Sequence, residues 1–141
     1  MLPDKRIVDF IIKHHVLTLA TSVLDKPWCA NCFYAFLKDD MTLVFTSEKN
    51  THHISDSMKN PEVAGSIVLE TMIVGKIQGI QFTGIVEEPR DQMVKKARQA
   101  YLKRFPYAVL MDTTLWLLKL KTIKMTDNRL GFGKKLIYTK Q

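Results

Sequence analysis

Hydrophobic positions recur at helical spacing in three parts of the chain. Pro3 suits a first helical turn, and the apolar residues after it form one stripe, which predicts a helix over residues 3–14. A short helix is predicted from Thr51 to Lys59, where a polar opening leads into apolar positions four apart. The clearest helix is predicted from Asp91, as its cap, to Phe105. Its predicted buried stripe consists of Met93, Val94, Ala97, Ala100, Tyr101 and Phe105.

The other hydrophobic segments alternate or are rich in β-branched residues, which is typical of strands. Met41, Leu43 and Phe45, for example, recur at a period of two. Turn signals such as the Lys-Asp-Asp of residues 38–40 join neighbouring segments at hairpin length, which favours antiparallel pairing. The predicted strands cover residues 16–23, 28–37, 41–47, 62–70, 76–89, 115–126 and 129–140.

The order of these elements indicates the fold class. One helix precedes three strands, a short helix precedes two more, and the long helix precedes the last two. Mostly antiparallel strands with few helices predict a mainly β protein with α, in which a β-barrel carries peripheral helices. The length of 141 residues suits one compact domain, so residues 1–141 are expected to form a single domain.

Composition narrows the classes of function. The net charge of +7 and pI of about 9.5 are compatible with nucleic acid or a phosphorylated ligand. The positive residues form no long run, and those of residues 94–104 suit a solvated helix face, so nucleic-acid binding is disfavoured. No apolar run of about 18 residues is present, which speaks against a membrane span. The first residues lack the features of a signal peptide, so a cytoplasmic location is expected.

Cys29 and Cys32, the two cysteines of the chain, have the C-x-x-C spacing of redox and zinc sites. Their neighbours are strand-like, however, and residues three apart in a strand point to opposite faces. A zinc site also needs further ligands, and the adjacent pair His52 and His53 would splay on a helix. We therefore expect no metal site, with one thiol buried and the other lining a pocket.

Five segments give the chain a family resemblance. The segments are "WCANCFYAF", "FTSEKNTHH", "IQGIQFTGIVEE", "ARQAYLKRFPYA" and "TDNRLGFGKKLIY". In their order and character the chain resembles the YhbP-like proteins of the FMN-binding split-barrel superfamily, which includes pyridoxamine 5'-phosphate oxidase. The resemblance implies an antiparallel six-stranded split barrel and a homodimer with FMN at the subunit interface.

The turn from residue 46 to residue 52 has the chemistry of a phosphate site. Hydroxyls and a lysine precede the start of a helix, whose free N–H groups favour an anion. The alternative is an ordinary polar turn, and the spacing alone leaves both readings open. In split-barrel flavoproteins the corresponding strand end and helix start hold the FMN phosphate. The resemblance therefore implies phosphate contacts from Thr46, Ser47, Lys49, Thr51 and His52, with His52 or His53 where a second cation is expected.

The flavin ring would need polar partners and an apolar wall. Asn31, Cys32 and Phe33 resemble the superfamily segment that runs beside the flavin, although Asn31 can equally face water and Phe33 the core. Gln78 and Gln81 lie on a long strand that approaches the flavin in relatives. Two glutamines among β-branched residues hint at a polar pocket, and an exposed sheet face explains them as well.

Two motifs limit the chemistry. The segment "GFGKK" lacks the spacing and the Ser or Thr of a phosphate loop. The chain also has no histidine after His53, so it lacks the C-terminal Arg-x-His pair of pyridoxamine 5'-phosphate oxidases, and that reaction is rejected. The first hypothesis is a flavin-dependent oxidoreductase with a small-molecule substrate, and no side chain is given a catalytic role. The alternatives are a non-catalytic flavin, haem or phosphate-ligand module and a basic nucleic-acid-associated protein.

Overall fold

The computed structural model describes residues 2–111 and 114–141 and places most helices and strands close to their predicted bounds. The strand predicted at residues 129–140 is shorter than expected, because Asn128–Leu130 form a 3-10 turn and the strand begins only at Lys135. The helices are α1 (Lys5–Lys13), α2 (His52–Lys59) and α3 (Gln92–Arg104). The strands are β1 (Val16–Val23), β2 (Lys26–Leu37), β3 (Thr42–Thr46), β4 (Glu62–Val68), β5 (Gln78–Glu87), β6 (Leu115–Asp127) and β7 (Lys135–Thr139).

All strand pairs are antiparallel, and six of the strands close into a barrel. The sheet order is β3-β2-β1-β4-β5-β6-β7, and β3 also pairs with β6, which joins the first strand of that order to the sixth. β3 pairs with Leu115–Lys119 of β6, and β7 pairs with Thr122–Thr126 on the same edge. The prediction of an antiparallel six-stranded split barrel with peripheral helices is confirmed, and β7 extends it along the second half of β6.

The barrel is filled by side chains from every strand, and α1 closes one side of the core. Trp116, Tyr34 and Phe45 are fully buried inside it. The Tyr34 hydroxyl donates to the carbonyl of Ile11 at 2.6 Å, which ties β2 to the C-terminal half of α1. Within the described residues, no helix combines the length and apolar character that crossing a bilayer requires.

α3 packs against the outside of the barrel. Ala97 and Tyr101 form a second apolar cluster with Val44 and Leu117, so both faces of β3 are buried and its alternation of buried positions disappears. The predicted stripe of α3 is wrong at Val94, which is 50% exposed, because the contact with the barrel is narrower than the helical pattern indicates. Asp91 occupies the cap position but makes no side-chain hydrogen bond to the helix.

Candidate functional site

The end of β3 runs directly into the turn that begins α2, and we call residues 46–52 the β3–α2 junction. Both backbone polar groups of Ser47, the N–H and the carbonyl, are hydrogen-bonded. Its N–H donates to the carbonyl of Thr114 at 3.2 Å, and its carbonyl accepts from the indole Nε1 of Trp116 at 2.8 Å. Because Trp116 is fully buried, the junction is held by the barrel core.

The hydroxyl groups of Thr46 and Ser47 are engaged by neighbouring side chains. Thr46 Oγ1 lies 3.2 Å from the hydroxyl of Tyr101 on α3, and Ser47 Oγ lies 2.7 Å from Nε2 of His53 on α2. The Cys32 thiol of β2 lies 3.7 Å from Ser47 Oγ and completes a cluster at the barrel end. The hydroxyls are therefore parts of local hydrogen-bond networks as well as candidates for ligand contacts.

Burial keeps the two titratable members of this cluster neutral at neutral pH. It lowers the pKa of His53, and the neighbouring His52 acts in the same direction. Burial also raises the pKa of the Cys32 thiol, although the hydrogen bond with Ser47 works against this. The lowered pKa disfavours a charged His53 at neutral pH, and the raised pKa keeps Cys32 as a thiol.

Lys49 and the first turn of α2 supply the cation and the free N–H groups of the junction. The Lys49 side chain is 68% exposed and forms a salt bridge with Glu88 at 3.8 Å. Thr51 makes no side-chain capping bond, since its hydroxyl donates to the carbonyl of Glu48 at 2.8 Å. The first amides of α2 thus have no side-chain cap among the described residues, and the helix dipole points its positive end here.

His52 lies against the indole of Trp28. The two rings stack with centroids 4.2 Å apart and planes 10° apart. His52 Nε2 also lies 3.3 Å from the carboxylate of Asp56, which is buried and accepts from the Thr21 hydroxyl at 2.9 Å. His52, the last residue of the junction, is therefore positioned by Trp28 and Asp56.

The structure places the ring candidates of β2 on two different faces. Cys32 points into the barrel, whereas Asn31 and Phe33 point outward. Asn31 Oδ1 accepts from the Thr18 hydroxyl at 2.9 Å, so its amide N–H groups are left to face solvent or a ligand. Asn31 begins an outward-facing row that crosses the sheet through the paired residues Thr18, Ser66, Gln81 and Lys124. Gln81 thus shares the face of Asn31.

Gln78 lies far from the junction. It pairs with Asp127 at one end of β5, whereas the other end of β5 lies beside the part of β6 that pairs with Thr46. Gln78 is buried and lines a small cavity of about 220 Å³ with Arg6 and Arg129. Gln78 and Gln81 are three apart, so strand alternation already predicts that they face opposite sides.

No family model matches the chain. Its sequence is nevertheless similar to those of several known bacterial proteins. A UPF0306 protein of Photorhabdus laumondii is 43% identical over 129 residues, which cover 92% of this chain and 90% of that protein. A UPF0306 protein of Yersinia enterocolitica is 43% identical over 140 residues, covering 98% of this chain and 95% of that protein. The chain belongs to the UPF0306 family.

Solved structures similar to this UPF0306 chain have the same fold. A haem-binding protein of Mycobacterium smegmatis has a TM-score of 0.78 at 20% identity, covering 99% of this chain, which spans 59% of that protein. A FAD-binding protein of Mesorhizobium loti has a TM-score of 0.70 at 15% identity, covering 88% and 94% of the two chains. HutZ, a haem storage protein of Vibrio cholerae, has a TM-score of 0.71 at 14% identity, covering 90% and 95%. At these identities the similarity establishes the split-barrel fold.

Two residues of this UPF0306 site were not among the predicted contacts. Trp28 stacks on His52 at the junction. Tyr101 is buried as predicted, but its hydroxyl reaches Thr46 across the barrel surface. Trp28 carried a local signal, since it opens the segment that contains Asn31 and Cys32. Tyr101 carried none, because it lies 55 residues from its partner in the chain.

Proposed function

We propose that this UPF0306 protein is a cytoplasmic homodimer that binds FMN, with the phosphate at the β3–α2 junction and the flavin ring on the outward face of β2. The observation that carries the proposal is the donor set of the junction, where the exposed Lys49 shortly precedes the start of α2, which has no side-chain cap. This donor set fits a phosphate dianion, because backbone N–H groups and a lysine both donate to anionic oxygens. The resemblance to YhbP-like proteins is part of the proposal.

The phosphate would be held first by Lys49 and the amides of the first α2 turn. Thr51 lies at the cap position with its hydroxyl turned toward Glu48. Thr46 and Ser47 carry hydroxyls on the same junction, and each already has a side-chain partner. A phosphate can accept from the Thr46 hydroxyl while the Tyr101 hydroxyl donates to Thr46 Oγ1, because either hydroxyl can be the donor of that pair.

The outward face of β2 offers a fit for the isoalloxazine ring. Phe33 is 57% exposed and supplies an apolar surface, and its ring lies 5.5 Å from that of Phe105. Asn31 and Gln81 supply amides along the outward-facing row. When bound, FMN would supply hydride or electron transfer between a reduced nicotinamide or other donor and a small substrate. The residues of this chain would bind and orient it, whereas Gln78 and the inward-facing Cys32 would not touch the ring.

The second copy of the chain would cover the outward face of the sheet. Small residues dominate this face, which contains a shallow cavity of about 630 Å³. Small side chains allow two sheets to approach closely. The row next to Asn31 consists of Cys29, Ala20, Ala64, Thr83 and Thr122, which are paired in register. The flavin ring beside Asn31 would then lie at the edge of the interface.

The test is an absorbance spectrum and mass analysis of the purified protein, followed by titration with FMN. We expect flavin bands and FMN binding that weakens about tenfold in Lys49→Ala, because one charge-assisted contact is lost. Lys59→Ala is the matched control, since Lys59 is exposed at the opposite end of the same helix. Unchanged affinity in Lys49→Ala would contradict this placement of the phosphate.

A second candidate is a haem carrier of the same fold, since two of the similar structures are haem-binding and haem storage proteins. A Soret band with no flavin bands would favour it. Bleaching of bound flavin by a reduced nicotinamide, with recovery in air, would establish an oxidoreductase, and the absence of bleaching would favour a non-catalytic module. Salt-dependent retention on DNA by cofactor-free protein would favour a nucleic-acid-associated protein.

A further inference from the structure

A third cavity, distinct from the two described above, lies at the opposite end of β3 from the junction. It has a volume of about 640 Å³ and is bordered by the N-terminal part of α1, the turn before β3 and the end of β7. Val8, Met41 and the ring of Tyr138 form its apolar walls. This volume lies in the range of small-molecule pockets, which usually combine apolar walls with few polar groups.

Tyr138 supplies the polar group inside this cavity. Its side chain belongs to the barrel core and is only 5% exposed. Its hydroxyl has no hydrogen-bond partner within residues 2–111 and 114–141, and the ring lines the cavity. Tyr34 and Tyr101 are also buried, and the hydroxyl of each has a protein partner. No enclosed side-chain oxygen or nitrogen among the described residues lacks a partner, so the Tyr138 hydroxyl is reached by solvent from the cavity and is free to donate to a ligand oxygen there.

The charged side chains at the rim determine whether the cavity favours an anionic or a cationic ligand. Five charged residues line the cavity, and they are Lys5, Lys38, Asp39, Asp40 and Lys140. Two of them are paired elsewhere, since Lys5 lies 2.6 Å from Asp9 and Asp40 lies 2.5 Å from Lys96. Lys38 and Lys140 then face one exposed carboxylate, that of Asp39, and the rim keeps one positive charge in excess.

We propose that this cavity binds a small carboxylate with an apolar body, such as an aryl or short alkyl carboxylic acid. The carboxylate accepts from the Tyr138 hydroxyl and lies near Lys38 and Lys140, while the apolar body packs on Val8 and Met41. A single carboxylate matches the single excess positive charge, whereas a phosphate dianion would meet the repulsion of Asp39. The site does not depend on flavin, because it shares no residue with the β3–α2 junction.

The test uses the full chain and two probes, 1-naphthoate for aryl and hexanoate for short alkyl carboxylates. Isothermal titration measures their affinity, and amide chemical shifts in ¹H–¹⁵N spectra locate the contact. We expect saturable binding, with shifts at Val8, Met41 and Lys140 and none across residues 46–52. The neutral alcohol 1-naphthalenemethanol should bind at least tenfold more weakly, because it lacks the charge that the lysines attract.

Three variants examine the proposed contacts. Tyr138→Phe keeps the ring in the core and should weaken the better probe about tenfold, because the hydrogen bond to a charged oxygen is lost. Lys38→Gln should weaken it severalfold, and Lys95→Gln on the exposed face of α3 should leave it unchanged. If Tyr138→Phe fails to fold, Val8→Phe, which fills the cavity, should abolish binding.

Four results would overturn the proposal. The first is the absence of saturable binding of both probes at millimolar concentration. The second is equal affinity for the neutral alcohol, and the third is shifts confined to other surfaces. The fourth is unchanged affinity in folded Tyr138→Phe or Val8→Phe. Binding of one probe alone supports the site and tells whether its apolar body is aryl or alkyl.

Discussion

Nε2 of His53 is hydrogen-bonded to Oγ of Ser47, with 2.7 Å between the two atoms. This contact joins the start of α2 to the end of β3. Burial lowers the pKa of His53, so at neutral pH its Nε2 can accept the proton of Ser47. The contact fixes the shape of the junction without adding positive charge to it. Stability of the junction should therefore depend on pH.

We expect the free energy of unfolding to fall as pH is lowered through 6.5, the ordinary pKa of histidine. Below that pH the unfolded chain binds a proton at His53, whereas the folded chain binds it only below its lowered pKa. His53→Gln should therefore show a shallower loss of stability than the wild type. Urea unfolding at several pH values from 7.5 to 5 measures this, and parallel curves for the two proteins would contradict it.

Gly84 lies at a β-bulge where β5 crosses closely over β6. A Cβ at this position would lie 2.5 Å from the carbonyl oxygen of Lys119, which is backbone and has little room to move. Gly84→Ala should therefore destabilise the protein by about 1–3 kcal/mol. Gly75→Ala is the control, since no atom lies within 4 Å of its added Cβ. Thermal unfolding of both variants tests this. Equal melting temperatures would show that the backbone near Lys119 can move away from a Cβ at position 84.

Asp127 is a buried carboxylate held by Arg129. The guanidinium donates to both carboxylate oxygens, at 3.0 and 2.8 Å, and this pair holds the pKa of Asp127 below its ordinary 3.8. Its contribution to stability is therefore complete above pH 3.8 and is lost as pH falls through the lowered pKa. Asp127→Asn should cost about 2 kcal/mol at pH 7.

Denaturant unfolding at pH 7 and at low pH measures the effect of Asp127. The difference between Asp127→Asn and the wild type should shrink at low pH, because the wild-type carboxyl is then protonated. A difference that stays constant with pH would mean that the charge of Asp127 does not matter.

The proposed dimer makes a prediction for Ala64, an exposed residue on the outward face of β4. Ala64→Arg would place a long charged side chain in the middle of the sheet-to-sheet contact and should shift the protein to monomer. Sedimentation velocity measures the mass of the particle, and Gln99→Arg on the exposed side of α3 is the control. A wild-type monomer, or a dimer that survives in Ala64→Arg, would exclude this face as the interface.

Local patterns in the sequence predicted most elements for a clear reason. The predicted helix from Thr51 to Lys59 forms from His52 to Lys59, and the strand predicted at residues 16–23 has the same bounds in the structure. These segments are defined by side-chain periodicity, which depends on backbone geometry within a few residues. Periodicity also predicted the divergence of Cys29 and Cys32, of which Cys29 is exposed and Cys32 buried.

The site was less predictable because its contacts join distant segments. The sequence placed Thr46, Ser47 and Lys49 on a strand-to-helix turn, and this turn forms. The partners of that turn follow from barrel closure, which brings Tyr101 to Thr46 and Thr114 to Ser47. The burial that lowers the pKa of His53 also comes from packing, so the direction of that shift could not be foreseen from the residue type.

The sequence by itself determined the helices and strands, because these follow from the spacing of apolar residues over a few turns or pleats. It also predicted an antiparallel barrel, because the strands follow one another at hairpin length and outnumber the helices. The tertiary structure decided which candidates share a surface: Asn31 and Gln81 meet on the outward face, whereas Gln78 lies at the far end of β5. Strand register fixes that outcome, and register depends on how the whole barrel closes rather than on any one segment.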